Sequence, residues 1–300
     1  YRVTGEAYIL KANMLGHDKN QPEFESIMDQ AETLLNKAIS KNNQDLSLYA
    51  SLLSLYRTKA THAQASGADP TAIIEEGITA GTPSEFKDSQ NEYLVQHLLI
   101  NLILARYNAE HGKSSEKLIA DELEQIRFFK KTKDYRVQSI FASLLCTQAL
   151  YCLDAQCDVD KLLAEAQRYA QESKDNSHEL WPRAYIVKLW AAAIKAASYV
   201  QRKKEPAAAI AEGLDAAAAC LSHSHDDPAC YTHQATLRLA EAQWRLAQGA
   251  SPDEALKRAG EAAKQAVDRA TESQRPDALL IMARVRYAAA QAQAQARRPV

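Results

Sequence analysis

Along this chain apolar residues return at helical spacing in long blocks, separated by short polar stretches. The spacing predicts long helices over about 5–16, 45–66, 89–111, 134–154, 178–202, 229–248 and 275–297. Between them lie shorter segments with a common layout: a loop carrying Asp, Ser or Pro, then an apolar pair, then a small residue. They read NQPEFESIMDQA, SGADPTAIIEEG, HGKSSEKLIADE, AQCDVDKLLAEA, RKKEPAAAIAEG and QGASPDEALKRA. Aligned on their last residues they mark Ala31, Gly77, Glu122, Ala166, Gly213 and Ala259, at intervals of 46, 45, 44, 47 and 46 residues. Self-similarity held this steadily is the signature of a repeat array.

Each mark falls in the second, shorter helix of a unit. Pro or an acidic residue opens that helix, where a missing N–H is harmless and the dipole favours negative charge. A second small residue follows seven positions on at Ala38, Ser84, Ser173, Cys220 and Ala266, on the same face. Glu122 and its follower Phe129 break the rule, so the third unit must pack differently. Aromatics near the ends of four long helices, Tyr107, Tyr151, Tyr199 and Trp244, are expected to face the small residues of neighbouring helices. Short connections make successive helices antiparallel neighbours. The expected fold is all-α: one domain over residues 1–300, a right-handed α–α superhelix of about six antiparallel hairpins plus a terminal helix.

The small, apolar, small pattern of Ala31, Leu35 and Ala38, followed by Asn43, resembles the second helix of a tetratricopeptide repeat. The usual repeat is about 34 residues, and here the first helix and its following loop are longer. With this long period, the loop Ser66-Gly67-Ala68-Asp69-Pro70 resembles the repeat regions that follow bacterial Ser/Thr protein kinase domains. The resemblance implies a non-enzymatic interaction or sensor domain that binds a protein or peptide on a concave face. The chain starts at Tyr1 already in helical pattern, with neither an initiator Met nor a signal peptide, and is expected to be a piece of a longer protein or a processed form.

Composition narrows the picture. Nine glycines, nine prolines and a net charge of −2 fit a folded helical chain with no general pull toward nucleic acid or anionic membrane. The longest apolar run, Leu98 to Leu104, is interrupted by Asn101 and is too short to span a bilayer. The basic runs Arg127, Lys130, Lys131, Lys133 and Arg202, Lys203, Lys204 read as helix C-terminal charges rather than a phosphate-binding stripe. Phosphate-loop, nucleophile-elbow and zinc-helix motifs are missing, and no cofactor is expected.

Cys220, His223, His225, Asp226, Asp227, Cys230 and His233 form the densest group of metal-capable residues, and a small-ligand or metal sensor is the alternative function. Their spacing matches no standard zinc pattern, so a polar interhelical loop is the plainer reading. A disulfide between Cys220 and Cys230 would staple that loop, and one between Cys152 and Cys157 would staple another, leaving Cys146 as a core thiol. Two such bonds fit an extracytoplasmic compartment and five free thiols fit the cytoplasm, so cysteine redox state decides the location.

The long helices are expected to line the groove. The face one to three turns before the aligned aromatics carries Ser51, Ser54 and Thr58; Ser143 and Thr147; Lys188 and Lys195; and His233 and Thr236. These residues are the candidate partner-binding set for a protein or peptide, and a homodimer is the second partnership considered. Small residues that merely allow long helices to pack explain the same pattern.

Overall fold

The structure, a computed structural model, describes residues 1–14, 21–83, 91–128, 134–155, 157–177, 182–271 and 274–296. Among these residues the chain is all helix, and no strand occurs. Long first helices are α1 (Arg2–Met14), α3 (Leu46–Ala65), α5 (Asn91–Glu110), α7 (Tyr135–Ala155), α9 (Pro182–Gln201), α11 (Pro228–Ala247) and α13 (Arg275–Ala296). They alternate with α2 (Gln21–Lys41), α4 (Thr71–Ala80), α6 (Glu116–Phe128), α8 (Val159–Asn176), α10 (Ala207–His223) and α12 (Asp253–Arg269). The chain divides into two units, Tyr1–Ile140 and Phe141–Val300, with the boundary inside α7.

Within each unit, helices pack on their neighbours in chain order. In the first, α3 lies against α1, α2, α4 and α5; in the second, α9 lies against α8, α10 and α11, and α11 against α12 and α13. Hydrogen bonds repeat the period. Ser51 Oγ donates to Glu6 at 2.6 Å, Arg136 to Glu92 at 2.8 Å and Gln167 to Glu212 at 2.7 Å, joining residues 45, 44 and 45 positions apart. Equivalent positions of adjacent repeats therefore face each other.

Four of the long helices, α3, α5, α9 and α11, are stopped in one way. Ten residues before the marks stand Gly67, Gly112, Lys203 and Gly249, with φ of 80°, 67°, 55° and 69°. The next amide in each case reaches back five residues: Ala68 to Ala63, Lys113 to Asn108, Lys204 to Tyr199 and Ala250 to Arg245, at 2.7–2.9 Å. This is the glycine-terminated Schellman stop, and Lys203 is the non-glycine residue forced into it. Lys203→Gly is expected to raise the stability of the second unit by about 1 kcal/mol, since an L side chain pays roughly that in the left-handed region. A higher urea midpoint at unchanged slope checks it. The second helices then start on Pro70, Pro206 and Pro252, whose carbonyls accept from Ile74, Ile210 and Leu256 at 2.9–3.0 Å.

At two of the marks helices approach closely. A Cβ on Gly77 would stand 2.5 Å from Tyr56 Cβ; one on Gly213 would stand 2.7 Å from a Leu237 methyl and 3.3 Å from Ala192 Cβ. The aligned aromatics Tyr107, Tyr151, Tyr199 and Trp244 are half-buried. Tyr107 lies 4.0 Å from the His111 ring and 5.8 Å from Lys113 Nζ, and Tyr199 lies 6.0 Å from Lys204 Nζ. At these two helix ends the Schellman stop turns a lysine back over the ring. Ser84, Phe129, Lys130, Lys131 and Lys133 lie outside the described residues.

Candidate functional site

The second unit carries a cleft of about 640 Å³ between α8, α9 and α10. Its α8 wall presents Gln167, Arg168, Gln171 and Lys174, its α10 wall Glu212 and Asp215, and its floor Tyr185 and Lys188 of α9. Periodicity explains the arrangement. α8 and α10 are consecutive second helices, Asp158 caps the first by accepting from Lys161 N at 3.1 Å, and Pro206 opens the other.

Two of the charges that line the cleft are paired. Arg168 pairs with Glu172 at 2.6 Å and lies over the Tyr169 ring; Glu212 accepts from Gln167 at 2.7 Å and from Lys195 at 3.2 Å. Lys188 differs. Its Nζ donates to the neutral Gln171 Oε1, and partial burial, with the Lys174 ammonium nearby, holds its pKa below the usual lysine range. Lys174 itself lies 5.7 Å from the Tyr185 ring, which is stacked on His223 at 4.2 Å. The cleft thus brings two ammonium groups near each other, with the Asp175 and Glu212 carboxylates close enough to favour the charged Lys188 in turn.

The other candidates are placed differently. Ser51 and Thr58 in the first unit, and Ser143 and Thr147 in the second, are buried; Ser54, His233 and Thr236 are half-buried. Their hydroxyls bond within their own helices: Ser51 to Ser47 O, Thr58 to Ser54 O, Thr147 to Ser143 O and Thr236 to Thr232 O, at 2.9–3.0 Å. Ser51 also meets Glu6 of α1, so that face of α3 is a packing surface between long helices. His233 is stacked on Trp190, centroids 5.3 Å apart. Lys188 and Lys195 both reach toward second helices, to Gln171 of α8 and Glu212 of α10. Only Lys188 of the set lines the cleft.

Both cysteine pairs lie at bonding distance, with Cα separations of 5.0 Å for Cys152–Cys157 and 6.0 Å for Cys220–Cys230. Cys146 is a free, buried thiol whose pKa burial raises. The residues weighed as metal ligands have separate tasks: His223 stacks on Tyr185, His225 pairs with Asp226 at 3.0 Å, and Asp227 caps α11 through Ala229 N at 2.9 Å. Among the described residues no three His, Cys, Asp or Glu side chains converge where a metal could sit, and no helix is long and apolar enough to cross a membrane.

A polar cluster in the first unit escaped the sequence reading. Asn101 Nδ2 donates to Glu122 Oε1 at 2.6 Å, and His97 Nδ1 lies 3.0 Å from the same oxygen. The three residues are 3, 2 and 3% exposed for Asn101, Glu122 and His97. Burial, with the Glu122 charge adding to it, pushes the nearby Tyr93 phenol up to about 12. The signal was present as two separate exceptions: Glu122 replaces a small residue, and Asn101 interrupts an apolar run. Together they form a clasp between α5 and α6, sealed from any substrate. Compared with known proteins, the chain matches no family model, no curated protein and no solved structure.

Proposed function

We propose that this chain is a non-enzymatic helical-repeat module that holds an acidic segment of a partner protein in the α8–α9–α10 cleft. The observation that carries this reading is Lys188, a half-buried ammonium on the cleft floor whose own bond goes to a neutral amide, with the Lys174 ammonium of the α8 wall nearby. A partly desolvated cation whose hydrogen bond goes to a neutral amide gains from a carboxylate brought to bonding distance. The cleft volume falls in the range that takes a few side chains of a peptide. The long-period repeat and the Ser66–Pro70 loop support the finer reading, a right-handed tetratricopeptide-like array serving as sensor or docking region of a bacterial Ser/Thr kinase signalling protein.

The test uses a fluorescently labelled decaglutamate peptide as probe, followed by anisotropy. Wild-type protein is expected to bind it in a salt-sensitive manner, and Lys188→Glu to weaken binding at least about tenfold, or 1.4 kcal/mol. Lys257→Glu, on an exposed position of α12, is expected to leave binding unchanged. Equal weakening by both variants, or no binding by wild type, overturns the proposal.

A further inference from the structure

The two cysteine pairs differ in what governs thiol exchange. Cys220 and Cys230 are both fully buried, within the apolar cluster that contains Leu189, Ala217 and Leu237. In the other pair Cys152 is buried, but Cys157 is exposed just ahead of the α8 cap. It opens onto a second cleft, of about 480 Å³, that Ser198 and Gln201 of α9 and Arg202 just beyond it also line. Exchange needs a thiolate to reach one sulfur and a stabilised thiolate to leave from the other. The approach is open at Cys157, in a cleft whose lining carries both the Arg202 guanidinium, paired with Asp160 at 2.8 Å, and the Asp158 carboxylate. At the leaving sulfur, the buried Gln148 amide donates toward Cys152 Sγ at 3.8 Å, so charge appearing there meets a positioned N–H. Cys146 stays out of the exchange, because burial disfavours its thiolate.

We propose that Cys152–Cys157 is an exchangeable disulfide opened at Cys157 Sγ by a partner dithiol, whereas Cys220–Cys230 is a permanent staple. In the first step the dithiol's thiolate bonds to Cys157 Sγ, the Cys152–Cys157 bond breaks, and its electron pair leaves on Cys152 Sγ, which takes a proton. The reagent's second thiolate then attacks its own sulfur in the mixed disulfide and expels Cys157 as thiolate. The protein disulfide is reduced by two electrons and the dithiol becomes a disulfide. Opening removes the covalent tie between the end of α7 and the start of α8, so α8 amides near Val159 gain freedom while α10 and α11 keep theirs unchanged.

Thiol counting comes first: unfolded protein is expected to show one free thiol without reductant and five with it. Five without reductant overturns the proposal. Folded protein is then treated with dithiothreitol, quenched with acid, alkylated and peptide-mapped. Cys152 and Cys157 are expected to be labelled at least about tenfold faster than Cys220 and Cys230; equal rates, or the reverse order, overturn it. With glutathione as a monothiol probe the trapped adduct is expected on Cys157, and an adduct on Cys152 overturns the assigned point of attack. Gln148→Leu is expected to slow opening several-fold, and an unchanged rate overturns the assigned leaving sulfur.

Discussion

Glu122→Ala is expected to destabilise the Tyr1–Ile140 unit by about 3–5 kcal/mol, the usual cost of removing one member of a buried polar pair. The carboxylate oxygen Oε1 answers both Asn101 Nδ2 at 2.6 Å and His97 Nδ1 at 3.0 Å. Without it, two buried polar groups on α5 keep their desolvation cost and lose their partner. An alanine would also leave a cavity between α5 and α6. Glu122→Gln separates the contributions. It retains an oxygen for Asn101 and nearly the same volume, so it is expected to cost clearly less, about 1–3 kcal/mol. Urea unfolding followed by tyrosine fluorescence measures both. If alanine and glutamine cost the same small amount, the clasp contributes little and the third repeat is held by apolar packing alone.

The second large effect is a reversal of sign between two glycines in helices. In an exposed helix interior, Gly→Ala stabilises by about 1 kcal/mol, because alanine has less backbone entropy to lose. Gly260 in α12 has nothing within 4 Å of where its Cβ would stand, so Gly260→Ala should show that gain. Gly77 in α4 should show the opposite. Its Cβ would meet Tyr56 Cβ at 2.5 Å and Cγ at 2.7 Å, and these atoms lie at the root of the side chain, where rotation cannot move them away. α4 must shift off α3, and the net loss is expected to be about 1–3 kcal/mol after the propensity gain is taken off. Adding Tyr56→Ala should not restore stability, because the colliding Cβ remains. Thermal unfolding of the three proteins tests this, and a Gly77→Ala protein as stable as wild type would remove the close approach of α3 and α4 from the account of the fold.

Particular residues show how far the sequence could be read. The mark at Gly77 announced a close helix approach, and the structure supplies its partner. Yet the partner is Tyr56, not one of the aligned aromatics. Those rings share a register in the repeat, but register does not tell which of two neighbouring helices a side chain meets. Ser143 and Thr147 looked like open polar positions because a hydroxyl is polar in any count of composition. In a helix such a hydroxyl can bond the carbonyl one turn back and pass as nearly apolar, so both sit in the core. Lys188 was selected for its place on α9, and it does line a cleft. The walls of that cleft, however, come from α8 and α10, whose lining residues Gln167 to Lys174 and Glu212 to Asp215 lie 14–27 positions away.

What the amino-acid order determined by itself was everything local or periodic: helix content, the period near 45, proline starts, glycine stops, and cysteines close enough along the chain to bond. Such features depend on neighbours within a few turns, or on one spacing repeated, and both are visible in a single line of text. Only the tertiary structure decided which exceptions meet, as Asn101 and Glu122 do, which sulfur faces water, and which cation lines a cleft. Those outcomes depend on the direction of each side chain relative to two or three packed helices, and burial, which sets the cost of an unanswered charge, arises only once those helices are in place.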